Sequence, residues 1–277
     1  MRVVALTLLA LTAFAANSVL CRAALGGGAI DAASFSALRL LSGALTLWLL
    51  VAVRQGRTQL SGSWRSATYL FLYAVPFSFA YESLTTGTGA LILFGAVQAT
   101  MLIAAVSSGE RPGWLQWLGL LMALGGLVYL VLPGVSAPDV LGSALMTVAG
   151  IGWGLYSLRG RAATDPLGET AGNFARSLPM VALVGVASLG VLHIDATGAA
   201  LAITSGALAS GVGYAIWYAA LPALAAATAA TVQLSVPVLA AVGGVIFMAE
   251  TVTSRLVIAS LLILGGVALA MPKRRSA

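Results

Sequence analysis

Residues 40–53, LLSGALTLWLLVAV, carry no charged side chain and end just before Arg54, so they predict most of one membrane-spanning helix. A spanning helix needs roughly 20 mostly apolar residues, and helices are favoured because lipid offers no partner for free backbone N–H and C=O groups. The whole chain of 277 residues shares this character, with 60% hydrophobic residues, 8% charged residues and a mean hydropathy of +1.01. A water-facing surface needs about a quarter of its residues charged, so the composition predicts an integral membrane protein.

Together with this segment, the other uncharged stretches predict ten spans in all. The uncharged run at 196–249 is too long for one helix, and Pro222 divides it most simply into an eighth and a ninth span. The predicted spans are residues 2–22, the stretch that ends before Arg54, 66–84, 89–106, 113–132, 140–158, 172–192, the two halves of 196–249, and 256–271.

The placement of Lys and Arg predicts the orientation of these spans. With a cytoplasmic N-terminus, eleven basic residues fall on the inner side, and only Arg22, Arg39 and Arg255 fall on the outer side. Both termini are then cytoplasmic. Arg2, the apolar run and AFAA imitate a signal peptide, but a retained first span accounts for all the charges. The net charge of +6 therefore reflects topology and does not indicate a nucleic-acid-binding surface.

The chain also repeats itself, because six pairs of landmarks follow in the same order at separations of 135 to 140 residues. They are Arg22 and Arg161, Arg39 and Arg176, YESL at 81–84 and YAAL at 218–221, Gln98 and Gln233, Glu110 and Glu250, and LGGLV at 124–128 and LGGVA at 264–268. These pairs predict two units of five spans, residues 1–134 and 135–277. Since five is odd, the second unit enters the membrane from the opposite side, which is the plan of many secondary transporters.

Several of these segments resemble a known family. FAANSVLCR at 14–22, WGLYSLRGR at 153–161, the Tyr-x-x-Leu pairs, SGERP at 108–112, Pro237 and the two Leu-Gly-Gly segments are similar to the twin EamA repeats of the drug/metabolite transporter superfamily. The resemblance covers residues 3–271, and within the superfamily the chain is similar to bacterial aromatic amino acid exporters of the YddG type. In the first repeat, Phe14-Ala15 stands where the family favours Trp-Gly.

The resemblance implies a multi-pass protein of the bacterial inner membrane that exports amino acids, or related metabolites, by alternating access. We expect a small-molecule substrate, contact with membrane lipid, no cofactor, no bound metal, and a monomer or homodimer. A passive facilitator of small amphipathic metabolites or drugs is the second candidate. An intramembrane enzyme is the third, disfavoured because the sequence has no His-Glu-x-x-His, and its only histidine, His193, lies in a predicted loop.

Aromatic and amide side chains within the spans are the candidates for substrate contact, since an organic solute needs stacking surface and a few orienting hydrogen bonds. They are Asn17, Tyr81, Gln98, Trp153, Tyr156, Tyr214, Trp217, Tyr218 and Gln233. The alternative is structural, because Trp and Tyr are common at membrane interfaces and amides often only join helices. Arg39 and Arg176, near the starts of the second and seventh spans, could either snorkel or meet a substrate carboxylate.

Glu82 is the candidate for ion coupling. It falls near the end of the third span, and its counterpart in the second repeat is Ala219, so the repeated architecture does not require a carboxylate here. Partial desolvation would raise the pKa of this acid and could make it a proton carrier. We favour the simpler interpretation, a solvated acid at a helix end, because the turn sequence TTGTG follows closely.

Overall fold

The computed structural model describes residues 1–56, 60–107, 109, 113–132, 137–161, 163–224 and 232–270, so Glu110 lies outside the described residues. Within this part of the chain the secondary structure is almost entirely helical. The helices are α1 (Arg2–Gly26), α2 (Ala32–Gln55), α3 (Trp64–Ala80), α4 (Thr86–Ser107), α5 (Trp114–Val131), α6 (Val140–Gly160), α7 (Pro166–Ala187), α8 (Ala196–Thr204), a π-helical segment (Ser205–Val212), α9 (Gly213–Ala220), a 3₁₀ turn (Leu221–Ala223), α10 (Ser235–Met248) and α11 (Ser254–Ala270).

The predicted all-helical membrane architecture is confirmed. Six stretches of the described chain are long and apolar enough to cross a membrane, and α10 and α11 are shorter apolar helices. The six are Arg2–Gly26, Ala32–Arg54, Thr86–Ala104, Trp114–Val131, Val140–Gly160 and Ala196–Ala220. The ten predicted spans correspond to α1 to α7, the continuous stretch from α8 to α9, α10 and α11.

Two of the predicted spans had wrong boundaries, the third and the seventh. The third span ends at Ala80 and not at residue 84, because the chain turns at 81–84 before α4. The seventh span runs from Pro166 to Ala187 and not over 172–192. Its early start has a local cause: the Asp165 carboxylate accepts the Gly168 N–H at 3.2 Å, and Pro166 supplies the first helical position.

The two predicted repeats pack into each other rather than side by side. Helix α2 packs on α7 and the π segment, α3 on α6, α4 on α6 and α10, and α5 on α11, so the main contacts join the first half of the chain to the second. One cluster of buried apolar residues runs through both halves. Glycines permit this closeness: a Cβ on Gly152 would lie 2.7 Å from the Tyr73 backbone nitrogen. A functional site at the centre would therefore be shared by both repeats.

The connection between α1 and α2 ties the first half to the second at one end of the bundle, called here the 29–31 end. Ile30 and Ile194 form an isolated antiparallel bridge, and Asp31 N–H donates to the His193 carbonyl at 2.9 Å. The Asp31 carboxylate caps α2 by accepting the Ser34 N–H at 2.9 Å, and it also accepts the His193 N–H at 2.8 Å. The Asp31 side chain thus stabilises both the start of α2 and a contact between the two halves of the chain.

Replacing Asp31 by Ala should lower stability by about 1 to 2 kcal/mol, since an N-cap and a second hydrogen bond are both lost. Burial alone would raise the pKa of the Asp31 carboxyl, but the hydrogen bonds from Ser34 and His193 outweigh it and hold the pKa below 3.8. This contribution is therefore present above the ordinary pKa and is lost as the pH falls through the lowered one. Thermal unfolding in detergent measures the change, and Asp31→Asn, which keeps an acceptor, should lose less. Equal melting temperatures for Asp31→Ala and the unmodified chain would contradict the assignment.

Candidate functional site

Aromatic rings from both halves of the chain meet in the middle of the bundle. Trp153 on α6 lies with its ring centroid 5.0 Å from Tyr73 on α3, 5.2 Å from Tyr214 on α9 and 6.1 Å from Phe14 on α1. Phe14 in turn lies 5.7 Å from both Tyr214 and Trp217. The separations and angles are those of favourable edge-to-face and tilted aromatic pairs. We call these rings, together with Phe77, the aromatic cluster.

The aromatic cluster follows the internal repeat. Phe14 and Trp153 are 139 residues apart, the same separation as Arg22 and Arg161, and their rings meet edge to face. Phe77 and Tyr214 are 137 apart, the separation of Arg39 and Arg176. Equivalent positions of two inverted units come together only near the line on which the units meet. The cluster therefore lies at the junction of the two repeats.

Polar groups border the aromatic cluster on one side. Arg39 on α2 donates from Nη2 to the Tyr73 hydroxyl at 2.8 Å and from Nε to the Ser210 hydroxyl at 3.3 Å. Asn17 on α1 donates to the same Tyr73 hydroxyl at 3.1 Å, and its Oδ1 accepts from Ser205 at 2.5 Å. We call these five residues the polar network. It joins α1, α2, α3 and the π segment.

The π segment explains how two serines of one span reach this network. π-helical turns inside longer helices widen the helix locally and occur often at functional sites. Here the segment Ser205–Val212 directs Ser205 to Asn17 and Ser210 to Arg39. A Cβ on Gly206 would collide with the Arg39 carbonyl oxygen, so α2 and the π segment are in close contact at this point.

Arg39 carries a charge that the described residues do not neutralise. Its side chain is 1% exposed, and its guanidinium lies over the rings of Tyr73 at 5.1 Å and Phe77 at 4.9 Å. Among the described residues the one ion pair joins Arg22 and Glu250 at 3.6 Å, so no carboxylate faces Arg39. The snorkelling interpretation of Arg39 was wrong, because the side chain stays inside the bundle.

The space between these groups is small. A cavity of about 20 Å³ is lined by aromatic cluster and polar network residues such as Phe14, Asn17, Tyr73, Trp153 and Tyr214. That volume holds roughly one water molecule and no organic solute. The structure is thus a state in which the centre is closed.

A larger groove of about 520 Å³ lies elsewhere, along α10 and α11. Its lining is aliphatic apart from the hydroxyl of Ser260, which already donates to the Leu256 carbonyl at 2.6 Å. A groove without free polar groups offers lipid chains a surface but cannot orient a polar solute. We therefore place the candidate site at the centre.

The sequence-predicted residues divide into three groups. Asn17, Trp153, Tyr214 and Trp217 lie in the aromatic cluster or the polar network, and Tyr156 contacts Trp153 at 5.8 Å. Tyr81 lies one layer away, stacked edge-on against Phe77 at 4.8 Å, with its hydroxyl donating to the Thr86 carbonyl. Gln98, Tyr218 and Gln233 are half-buried and are not among the described residues that line the central cavity.

Sequence reasoning missed Phe14, Tyr73, Phe77, Ser205 and Ser210. The repeat offered a signal for two of them, since Phe14 is the counterpart of the predicted Trp153, and Phe77 is the counterpart of the predicted Tyr214. No such signal marked the serines, because small polar residues are ordinary at close helix contacts.

Glu82 lies outside α3 in the turn at 81–84, where its side chain is exposed. Partial desolvation raises the pKa of the Glu82 carboxyl, opposed by a backbone hydrogen bond from Ala32. The backbone of this turn is held by Arg22, whose Nη1 donates to the carbonyls of Tyr81 at 3.0 Å and Glu82 at 2.9 Å. Glu82 thus lies beside the 29–31 end, and it is not among the described residues that line the central cavity. Within the described part of the chain, no group of three or more His, Cys, Asp or Glu side chains could hold a metal ion.

Comparisons with known proteins agree with this architecture. The EamA-like transporter family matches residues 1–132 and again residues 140–271. The chain belongs to this family. The predicted membership of the drug/metabolite transporter superfamily is therefore confirmed, whereas the likeness to exporters of the YddG type stays a prediction.

Two relatives and one solved structure extend the match. An uncharacterized protein of Pseudomonas aeruginosa is 54% identical over 99% of this chain and 96% of its own. The threonine/homoserine exporter RhtA of Escherichia coli K12 is 31% identical over 81% of this chain and 76% of its own. One solved crystal structure of a protein matches over 99% of this chain and 98% of its own, with a TM-score of 0.69. Its sequence is 21% identical, so this likeness supports the fold alone. The protein is a multi-pass membrane transporter of small metabolites.

Replacing Glu82 by Gln should leave most transport activity, because the carboxylate is exposed and does not line the central cavity. Transport by purified protein in liposomes, with and without an imposed pH gradient, measures the effect. Glu82→Ala is the matched variant that also removes the polar end. If pH-driven transport collapsed in Glu82→Gln while the protein stayed folded, Glu82 would be the coupling group.

Proposed function

We propose that this protein exports amino acids, mainly aromatic and other apolar ones, across the bacterial inner membrane by alternating access. The observation that carries the proposal is the position of the aromatic cluster and polar network where the two repeats meet. In transporters built from inverted repeats, substrate binds near the midplane between the halves. Stacking rings beside a few hydrogen-bonding groups are the surface that an apolar amino acid requires. The relative RhtA, an exporter of threonine and homoserine, supports amino acids as the general solute class.

Alternating access is supported by closure on both sides of the centre. At the 29–31 end, Asp31 joins the first half of the chain to His193 of the second. Toward the opposite end, Ser63 N–H donates to the Asn173 side chain at 2.9 Å, and Arg176 donates to the Ser61 carbonyl at 2.6 Å. A carrier opens one of these sets of contacts at a time, whereas a channel-like facilitator needs both open together. On the predicted orientation, the 29–31 end faces the periplasm.

Counterflow in proteoliposomes tests the proposal. Labelled phenylalanine uptake is measured into liposomes preloaded with unlabelled phenylalanine, tryptophan, leucine or threonine, without any ion gradient. We expect uptake to be accelerated by preloaded amino acids, since a carrier returns faster when loaded. Flux without such acceleration would favour the facilitator, and no flux above empty liposomes for any amino acid would remove this substrate class.

Replacing Trp153 or Trp217 by Ala should lower phenylalanine counterflow about five-fold or more, because each indole contributes roughly 1 kcal/mol or more to a stacked solute. Trp114→Ala is the matched control, since the Trp114 side chain is 72% exposed on the outside of the bundle. Gel filtration of each purified variant shows whether folded protein is retained. Unchanged rates for both central variants would exclude the aromatic cluster as the binding surface.

A further inference from the structure

The guanidinium of Arg39 has more hydrogen-bonding capacity than the described residues use. Of its nitrogens, Nε and Nη2 donate to Ser210 and Tyr73, whereas Nη1 is buried without a hydrogen-bond partner among the described residues. The Tyr214 hydroxyl is likewise buried without one. Both residues border the same rings: the Arg39 guanidinium lies over the Tyr73 ring at 5.1 Å, and the Trp153 ring lies 5.0 Å from Tyr73 and 5.2 Å from Tyr214. Two unpaired polar groups inside an apolar bundle are costly unless a ligand meets them.

The charge of Arg39 points to the sign of that ligand. The seven acidic residues within the described part of the chain are Asp31, Glu82, Asp139, Asp165, Glu169, Asp195 and Glu250, and each lies in a connection or in the first turn of a helix. The aromatic faces of Tyr73 and Phe77 attract a cation but bring no negative charge. A buried, unpaired charge within a membrane-spanning bundle is expensive. An anionic group is therefore the missing partner.

The second repeat provides an internal comparison. Arg176, the counterpart of Arg39, donates from Nη1 to the backbone carbonyls of Ser61 at 2.6 Å and Gly172 at 3.1 Å. At this position of the second repeat, the hydrogen-bond donors of the arginine are thus met by fixed backbone carbonyls. At Arg39 the fold supplies two hydroxyls instead, and hydroxyls can turn their protons toward an arriving anion.

We propose that Arg39 and Tyr214 bind the carboxylate of the transported solute, so that the protein selects carboxylate-bearing molecules over neutral or purely cationic ones. The proposal rests on the proposed function and narrows its substrate class. Arg39 supplies the charge and Nη1, Tyr214 supplies a hydroxyl donor, and the aromatic cluster receives the apolar part. Charge-assisted hydrogen bonds of this kind are about twice as strong as neutral ones.

Binding can be tested without transport. The full chain in detergent is titrated with 3-phenylpropionate and with 3-phenylpropionamide, which replaces the carboxylate by a neutral amide of nearly the same shape, and the rise in melting temperature is followed. We expect 3-phenylpropionate to bind at least about ten-fold more tightly than the amide. Equal stabilisation by the two compounds, or none by 3-phenylpropionate up to its solubility limit, overturns the proposal.

Variants locate the site. Tyr214→Phe keeps the ring and should weaken 3-phenylpropionate binding about ten-fold, while binding of the amide changes little. Arg39→Gln should abolish the preference for the acid, and Arg39→Lys, which keeps the charge, should restore part of it. Arg65→Lys is the matched control, because Arg65 also donates to a tyrosine hydroxyl, that of Tyr69, but lies on the exposed surface, and it should bind as the unmodified protein does. If Arg39→Gln does not fold, Tyr214→Phe decides, and an unchanged preference there contradicts the assignment.

Transport separates this proposal from the function on which it rests. In the phenylalanine counterflow assay, excess unlabelled phenylalaninamide should compete at least about ten-fold less well than phenylalanine. Robust counterflow with equal competition by the amide would leave amino acid export standing and remove the carboxylate site. Selective binding of 3-phenylpropionate without amino acid counterflow would leave the carboxylate site standing and remove amino acid export.

Discussion

A charged guanidinium held inside a lipid-facing bundle is the constraint around which the centre of this protein is arranged. Arg39 lies on α2 and receives hydrogen-bond acceptors from α3 and from the π segment, so one side chain links three helices. The rings of Tyr73 and Phe77 cover it. Because the Arg39 side chain is buried, each of these contacts counts more than it would at a surface. The arrangement nevertheless leaves Nη1 without an acceptor among the described residues, which makes the centre receptive to an anion.

The packing of the two halves makes such a centre possible. Equivalent residues of the two repeats, such as Phe14 and Trp153, come into contact because helices of one half pack between helices of the other. Equivalence of sequence does not bring equivalence of surroundings: Arg39 meets hydroxyls at the centre, whereas Arg176 meets backbone carbonyls. The two halves therefore bring different chemistry to the site. The first half supplies the cation, Arg39, and the second half supplies the larger aromatic side chains, Trp153 and Trp217. Such asymmetry suits a solute that has a charged head and an apolar body.

Much of the architecture was predictable because its causes are local or periodic. Uncharged runs of about 20 residues must become helices in lipid, and recurring landmarks at a constant separation revealed the duplication. The site was only partly predictable. Trp153, Tyr214 and Trp217 were chosen as large aromatic side chains within spans, and they do lie at the centre. Gln98 and Gln233 were chosen as polar groups at the same depth, yet they are not among the described residues that line the central cavity. Gln98 shares a helix face with Phe94, which does line it, but lies one turn further along α4, so position along the helix matters as well as residue type.

The sequence by itself determined that this protein is a helical membrane protein of two related halves, because hydropathy and repetition are properties of the chain. It also determined the family, through motifs spread over both repeats. Only the tertiary structure decided that Arg39 is central and Arg176 peripheral, that the π segment turns Ser210 toward the guanidinium, and that Phe14 faces Trp153. These facts depend on how helices far apart in sequence are rotated and pressed together, and the physical cause is packing between surfaces that no local pattern encodes.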